Sequence, residues 1–362
     1  VRFNRTTDVQ LRAELKPGES FGTTDLQLYA LEPPRHGLRL VVDNGGSEST
    51  GLWRQSVTYV NRSLLGLRDD VVFSASRAEG HEGYSMSYGI PLNRWGGRAT
   101  MAHYRDATAI KHGPAAPLEV TGRSEATVMT VRQPAYVRDE LQIDVIGALK
   151  VRSASNNSGG VFLELTKTED GTFGAEVQGA GAHRYWLGTY AVTSGHADTS
   201  TRTRYTLGRG SLRGVQEFGG GLSGHASLSF QHTDDEMLPS SEQFFIGGEG
   251  TVRGFPVGAR SGDQGFAASL ELHHPLPVPE SLAPKELGVS GFLFVDYGYV
   301  KPYRPPDSVL RSYEQLAGAG WGLSATIMKH ATARLTFAYA LNNLPQEPRG
   351  YRVHFQVMAS VF

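Results

Sequence analysis

The chain predicts an all-β protein closed into a transmembrane antiparallel β-barrel, and three observations carry that expectation. Segment after segment alternates apolar and polar residues with a period of two, separated by polar or glycine-rich turns. No apolar run reaches the roughly 18 residues a spanning helix needs. Alternating strands can still cross a bilayer and average to a polar score, here a mean hydropathy of −0.30. Aromatic residues gather at strand ends on the apolar face, at Tyr297, Tyr299, Trp321, Tyr339 and Tyr351, where a bilayer interface selects amphipathic rings. A soluble β-sandwich or propeller would also alternate, but the strand signals recur without a blade repeat.

In chain order, residues 1–34 stand apart. Gln10–Gly18 is followed by Thr23–Glu32, an edge-like strand that ends at Pro33-Pro34, where pairing stops. No complete domain fits in this stretch, which reads as the tail of one or as an extension tucked against the barrel. Strands are then expected at 37–44, 53–61, 69–77, 84–92, 97–105, 120–132, 140–152, 161–168, 174–181, 183–194 and 203–212. The last third adds 221–232, 265–274, 289–300, 317–329, 331–341 and 351–362. Residues 106–118, rich in Ala, Gly and Pro, read as a long exposed loop. Residues 235–262 are long for a connection between paired strands, and loops of that length are usually functional.

Composition bounds the function. The 362 residues suit one large domain or two ordinary ones. A net charge of −1 leaves no electrostatic footprint for nucleic acid, and the absence of cysteine excludes disulfides and thiolate metal sites. Val1 is not an initiator Met and no signal peptide is visible, so the chain reads as a mature or trimmed fragment, and the missing signal does not argue for the cytoplasm. No catalytic residue, metal site or cofactor is expected. None of the 12 histidines has a His-Glu-x-x-His spacing, and His273 and His274 point to opposite faces of one strand. There is no Gly-x-Ser-x-Gly elbow, and Gly247-Gly248-Glu249-Gly250 is not followed by the Lys and Ser/Thr of a phosphate loop.

The most informative stretch is Gly247-Gly248-Glu249-Gly250-Thr251-Val252-Arg253-Gly254-Phe255, an arginine at the tip of a glycine-rich hairpin. A guanidinium is always charged and needs a partner where water is scarce. The natural partner lies on Phe292-Leu293-Phe294-Val295-Asp296-Tyr297-Gly298. If Leu293, Val295 and Tyr297 face lipid, Asp296 faces the lumen, and Phe292 and Phe294 also point inward, available to pack against Phe255.

With its lead-in Leu238-Pro239-Ser240-Ser241-Glu242-Gln243-Phe244-Phe245-Ile246, this stretch resembles the loop-6 signature of two-partner secretion transporters, the type Vb or TpsB family. That family belongs to the outer-membrane superfamily that also contains the barrel-assembly factors. Phe294-x-Asp296-x-Gly298 resembles the companion motif on barrel strand 13, and the likeness extends from about residue 10 to the C-terminus. It implies a barrel of about 16 strands over residues 35–362, or roughly 20 residues per strand and connection. It further implies a loop 6 (about 235–262) folded into the lumen, with Val252, Arg253, Gly254 and Phe255 as latch and Phe294, Asp296 and Gly298 as its wall. Residues 1–34 would be the tail of a periplasmic POTRA domain or a linker, the complete POTRA domains and a plug helix lying upstream. The terminal Phe362 resembles the aromatic read by the barrel-assembly machinery, although it falls off the parity of Tyr351, Val353, Phe355, Val357, Ala359 and Val361.

The implied function is a Gram-negative outer-membrane pore that passes a large secreted partner protein (TpsA-like: adhesin, haemolysin or contact-dependent toxin) to the surface without nucleotide hydrolysis. Its surroundings would be outer-membrane lipid and, during biogenesis, the assembly machinery. The alternatives are a barrel-assembly factor, a passive porin with no protein partner, or, more distantly, a membrane-embedded hydrolase.

Overall fold

A computed structural model describes residues 2–199, 202–278, 287–304, 312–328, 330–344 and 350–361. A five-residue helix, α1 (Arg2–Thr6), precedes a hairpin of β1 (Gln10–Pro17) and β2 (Thr24–Leu31). The barrel then begins with β3 (His36–Asp43), β4 (Arg54–Asn61), β5 (Asp70–Ala78), β6 (His81–Pro91) and β7 (Arg98–Ala109). Five long strands follow: β8 (Thr121–Arg138), β9 (Leu141–Ser158), β10 (Val161–Ala180), β11 (Arg184–Asp198) and β12 (Arg202–Gly219). The circuit continues with β13 (Leu222–His232), β16 (Gln264–Leu276), β17 (Leu287–Lys301), β18 (Glu314–Ile327), β19 (Ala331–Ala340) and β20 (Tyr351–Ser360). The connection after β13 carries its own short ladder, β14 (Phe244–Ile246) with β15 (Arg260–Gly262).

Among the described residues, sixteen strands form one closed antiparallel barrel, each paired with its sequence neighbour in the circuit. Closure falls to β20 and β3, paired over Gln356–Ser360 and Arg39–Asp43. Asn44 extends that seam, donating to the Val353 carbonyl and accepting from the Phe355 N–H. Closing the sheet leaves no unpaired edge, the condition for a strand structure to sit in hydrocarbon.

The period of two decides which side each residue faces. On β17, Leu293, Val295 and Tyr297 point out and are exposed, while Phe292, Phe294 and Asp296 point in and are buried. Outward neighbours on adjoining strands, Leu270, Leu272, Trp321 and Tyr339, continue the apolar outer surface.

Two expectations change. Residues 161–168 and 174–181 belong to one strand, β10, because Asp170 is not in a turn: it points inward and pairs with Lys150. Residues 106–109 complete β7, so the loop there is shorter and covers 110–120. Helix α1 carries no sequence signal; Arg2 donates to the Pro134 carbonyl and Arg5 to that of Asp139 at one end of the barrel.

Candidate functional site

The connection from β13 to β16, hereafter loop 6, turns back into the barrel. It begins with a 3-10 turn at Ser240–Glu242, runs along β14, and reverses through Gly247 and Gly248, whose φ values of +107° and +93° are left-handed. A side chain would be strained there, which is why glycines occupy the bend. The Thr251 hydroxyl accepts the Gly247 N–H at 2.8 Å and closes the turn.

At the tip, Arg253 is 6% exposed and Asp296 is 1% exposed. Asp296 Oδ2 accepts the Arg253 backbone N–H at 3.0 Å and its Nε at 2.7 Å, while Oδ1 accepts Nη2 at 2.7 Å. This is a two-pronged fork with a main-chain bond added, so both the side chain and the backbone of the tip are located. Arg253 Nη2 also donates to Ser269 Oγ at 2.9 Å, and Nη1 pairs with Glu271. The guanidinium lies over the Phe294 ring, 3.5 Å from its centroid.

Glu271 is shared. Arg334 Nη2 reaches both of its oxygens at 3.0 Å, and His273 Nε2 lies 2.7 Å from Oε2. The Arg334 guanidinium in turn covers Phe292 at 4.0 Å. Two guanidiniums therefore face two carboxylates on the inner wall, each stacked on a phenylalanine from β17.

The structure brings Arg253, Asp296 and Phe294 together. Val252 is fully buried and sits against Gly298, where a Cβ would lie 2.7 Å from Val252 Cγ2. Gly254, with φ of +95°, fits against the Ala340 N–H, 2.9 Å from where its Cβ would be. Phe255 packs in a cluster with Ile246, Val252, Ala267, Val300, Leu316, Ala340 and Leu344. Phe292 and Phe294 form a different cluster with Ala338, so the inward phenylalanines carry arginines instead of meeting Phe255. Phe362 lies outside the described residues.

Sequence reasoning misses Glu271, Ser269 and Arg334 as members of the site, although their inward parity was readable. It also misses Gly318, Gly320 and Gly322, which alternate along the inner face of β18. A Cβ at Gly320 or Gly322 would strike the Phe294 or Phe292 ring, at 2.7 and 2.2 Å. The glycine file is a trough that admits the two rings and the tip of loop 6.

A family model described as haemolysin secretion/activation protein ShlB/FhaC/HecB matches residues 22–325. The outer membrane transporter CdiB of Dickeya dadantii (strain 3937) is 24% identical over 339 residues, covering 86% of this chain and 58% of that protein. The chain thus spans a little over half the length of that relative. Among solved structures, CdiB from Escherichia coli matches with a TM-score of 0.81 at 20% identity, covering 99% of this chain and 69% of that one. CdiB from Acinetobacter baumannii matches at 0.77 and 18%, covering 98% and 66%. BamA from Haemophilus ducreyi lacking POTRA domains 1–3 matches at 0.66 and 13%, covering 99% and 77%. At these identities the structural likeness speaks for the barrel fold, and the family model speaks for descent. The chain belongs to the ShlB/FhaC/HecB family of haemolysin secretion/activation proteins, the two-partner secretion transporters.

Proposed function

We propose that this chain is the outer-membrane pore of a two-partner secretion system, that loop 6 is its plug, and that Arg253 with Asp296 and Glu271 is the latch holding the plug. The observation that carries the reading is the buried Arg253–Asp296 fork between a long inserted loop and the barrel wall. Fixing a loop this long inside a wide lumen costs conformational entropy. A desolvated charge pair gives the tip one address, and separating the pair leaves a buried charge uncompensated.

The end of the barrel that bears the β1–β2 hairpin faces the periplasm in this reading, and loop 6 enters from the cell surface. Residues 1–34 are the tail of a POTRA domain. In support, Leu11, Ala13 and Leu15 pair with Ala30, Leu28 and Leu26 to make one apolar hairpin face, on which Leu15 is 71% exposed. The cargo is a large partner protein that threads unfolded and is drawn through by folding outside, without nucleotide hydrolysis.

The test is export of the partner by cells expressing Arg253→Ala or Asp296→Ala protein, with insertion verified by heat-modifiable migration. The expected result is altered export together with a raised resting ion current. Normal export and normal current from both variants would reject the latch, and a steady current with no exported partner would favour a passive porin.

A further inference from the structure

Loop 6 is held in a second place, away from its tip. Glu242, at its entry, is 1% exposed, and its carboxylate lies between Lys150 Nζ of β9 at 2.9 Å and Arg209 Nη1 of β12 at 3.1 Å. Lys150 also pairs with Asp170 at 2.7 Å, and Asp170 accepts from the Tyr205 hydroxyl. Lys150 and Arg209 thus face Asp170 and the loop's own Glu242, a contact with β9, β10 and β12, whereas the tip is held on β16, β17 and β19.

The two legs of the loop are tied to each other at the same level. Gln231 donates to the carbonyls of both Glu242 and Asp263, at 2.8 and 2.9 Å, and Arg209 donates to the Glu242 carbonyl at 2.8 Å. The Asp263 carboxylate accepts the N–H groups of Met237 and Leu238 at 3.0 and 3.1 Å. Above this the legs are zipped by β14 and β15. Left-handed glycines begin only beyond that ladder, Gly247 and Gly248 on one leg and Gly258 on the other. Hinges are a few loop residues that absorb backbone rotation, and here both legs carry them.

We propose that Glu242 is a fixed anchor, so that the plug opens by swinging residues 247–258 about these glycines while its stem stays bound to the wall. This rests on the reading of loop 6 as a plug and adds to it which part moves.

Amide exchange supplies the first test. In Arg253→Ala protein, exchange across residues 247–258 should rise about tenfold while residues 260–263 stay within about twofold of the parent. In Glu242→Gln protein the protection of 260–263 should fall as well. Equal loss of protection in both segments of the Arg253→Ala protein overturns the anchor.

The second test uses the absence of native cysteine. A Cβ at Gly298 would lie 3.2 Å from Ile246 Cβ and 2.7 Å from Val252 Cγ2. Disulfides place Cβ atoms about 3.5–4.5 Å apart, so small adjustments let one wall position tether either the stem or the tip. The stem tether is Ile246→Cys with Gly298→Cys, plus Val252→Ala to clear space; the tip tether is Val252→Cys with Gly298→Cys. Potassium chloride current across a planar bilayer is read in each protein before and after reductant, and heat-modifiable migration verifies the folded barrel. Opening that is the same before and after reductant in the stem-tethered protein, but absent until reduction in the tip-tethered one, supports the anchor. Block by both tethers overturns it and leaves the plug reading standing; block by neither brings down the plug reading itself.

Discussion

Gly318 of β18 has no side chain where the carbonyl oxygen of Arg253 lies: a Cβ at this glycine would be 2.1 Å from that oxygen. Seating of the tip in the proposed latch therefore depends on an absent methyl group as well as on charges. Gly318→Ala is expected to push the tip off Asp296 and raise the fraction of time the pore is open, at a cost of about 1–3 kcal/mol to the seated loop. Gly288→Ala, on the neighbouring strand with open space around its would-be Cβ, is the matched control and should leave the current unchanged. A Gly318→Ala pore as quiet as the control would show that the tip tolerates displacement.

The two acids of the site do unequal work. Asp296 takes three hydrogen bonds from Arg253, including the backbone one, whereas Glu271 divides itself between Arg253 and Arg334. Asp296→Asn is expected to destabilise the seated loop by roughly 3–5 kcal/mol, and Glu271→Gln by less because Asp296 still holds the fork. Arg253→Lys should behave like a partial deletion, since an ammonium cannot span both oxygens of Asp296 in a fork. Open probability in single-channel records orders the variants. A double-mutant cycle of Arg253→Ala and Asp296→Ala should give far less than the sum of the single effects. Additive effects would mean that the two residues act apart.

Much of this was readable from the residues, and the failures lie on the inner face of the barrel. Outward-facing positions such as Leu293, Val295 and Tyr297 alternate cleanly because lipid demands it, so the barrel and its inward parity were legible. The interior is polar and ionic, and there the alternation signal breaks. Glu169-Asp170-Gly171 reads as a turn, yet Asp170 points inward from mid-strand to meet Lys150. Arg253 and Asp296 could be singled out as partners from motif and parity. Glu271 and Arg334 had the parity but no motif, and the role of Gly318, Gly320 and Gly322 exists only once Arg253, Phe294 and Phe292 are brought across the lumen. Phe294 was visible as inward-facing, but its use as a platform for a guanidinium depends on the path of the loop.

Loop 6 also carries an acid placed against an acid. Glu249 and Asp43 of β3 each put a carboxylate oxygen 3.1 Å from a would-be Cβ on Gly45. Burial first, and then the Asp43 charge, hold the Glu249 carboxyl above its ordinary value, while Arg334, Arg54 and Arg253 oppose the shift. An acid whose value is raised in the seated state takes up its proton more readily there, so seating strengthens as pH falls through that raised value. The gain is complete below the ordinary carboxyl range and is lost again as pH rises. Glu249 is thus expected to favour the quieter state on mild acidification. Glu249→Gln should be quieter than the parent at neutral pH and should lack the acid-driven part of the response that Glu249 supplies. Identical pH profiles for the parent and Glu249→Gln across that window would contradict this assignment.

Arg68 joins the hairpin to the barrel. It sits at φ of +59° in the turn between β4 and β5, its N–H held by Ser63 Oγ at 3.2 Å. Its guanidinium reaches Asp8, just before β1, at 3.6 Å and Glu32, just after β2, at 3.4 Å, so one side chain grips both roots of the hairpin. These pairs are partly exposed, and each contributes only about 0.2–1 kcal/mol. Arg68→Ala is therefore expected to leave barrel unfolding unchanged while loosening the hairpin, read as faster cleavage within residues 18–23 by limited proteolysis. High salt should reproduce the effect in the parent protein, because screening weakens exposed pairs and leaves buried ones largely intact. Cleavage that responds to neither change would assign the hairpin's orientation to α1 and its bonds to Pro134 and Asp139 instead.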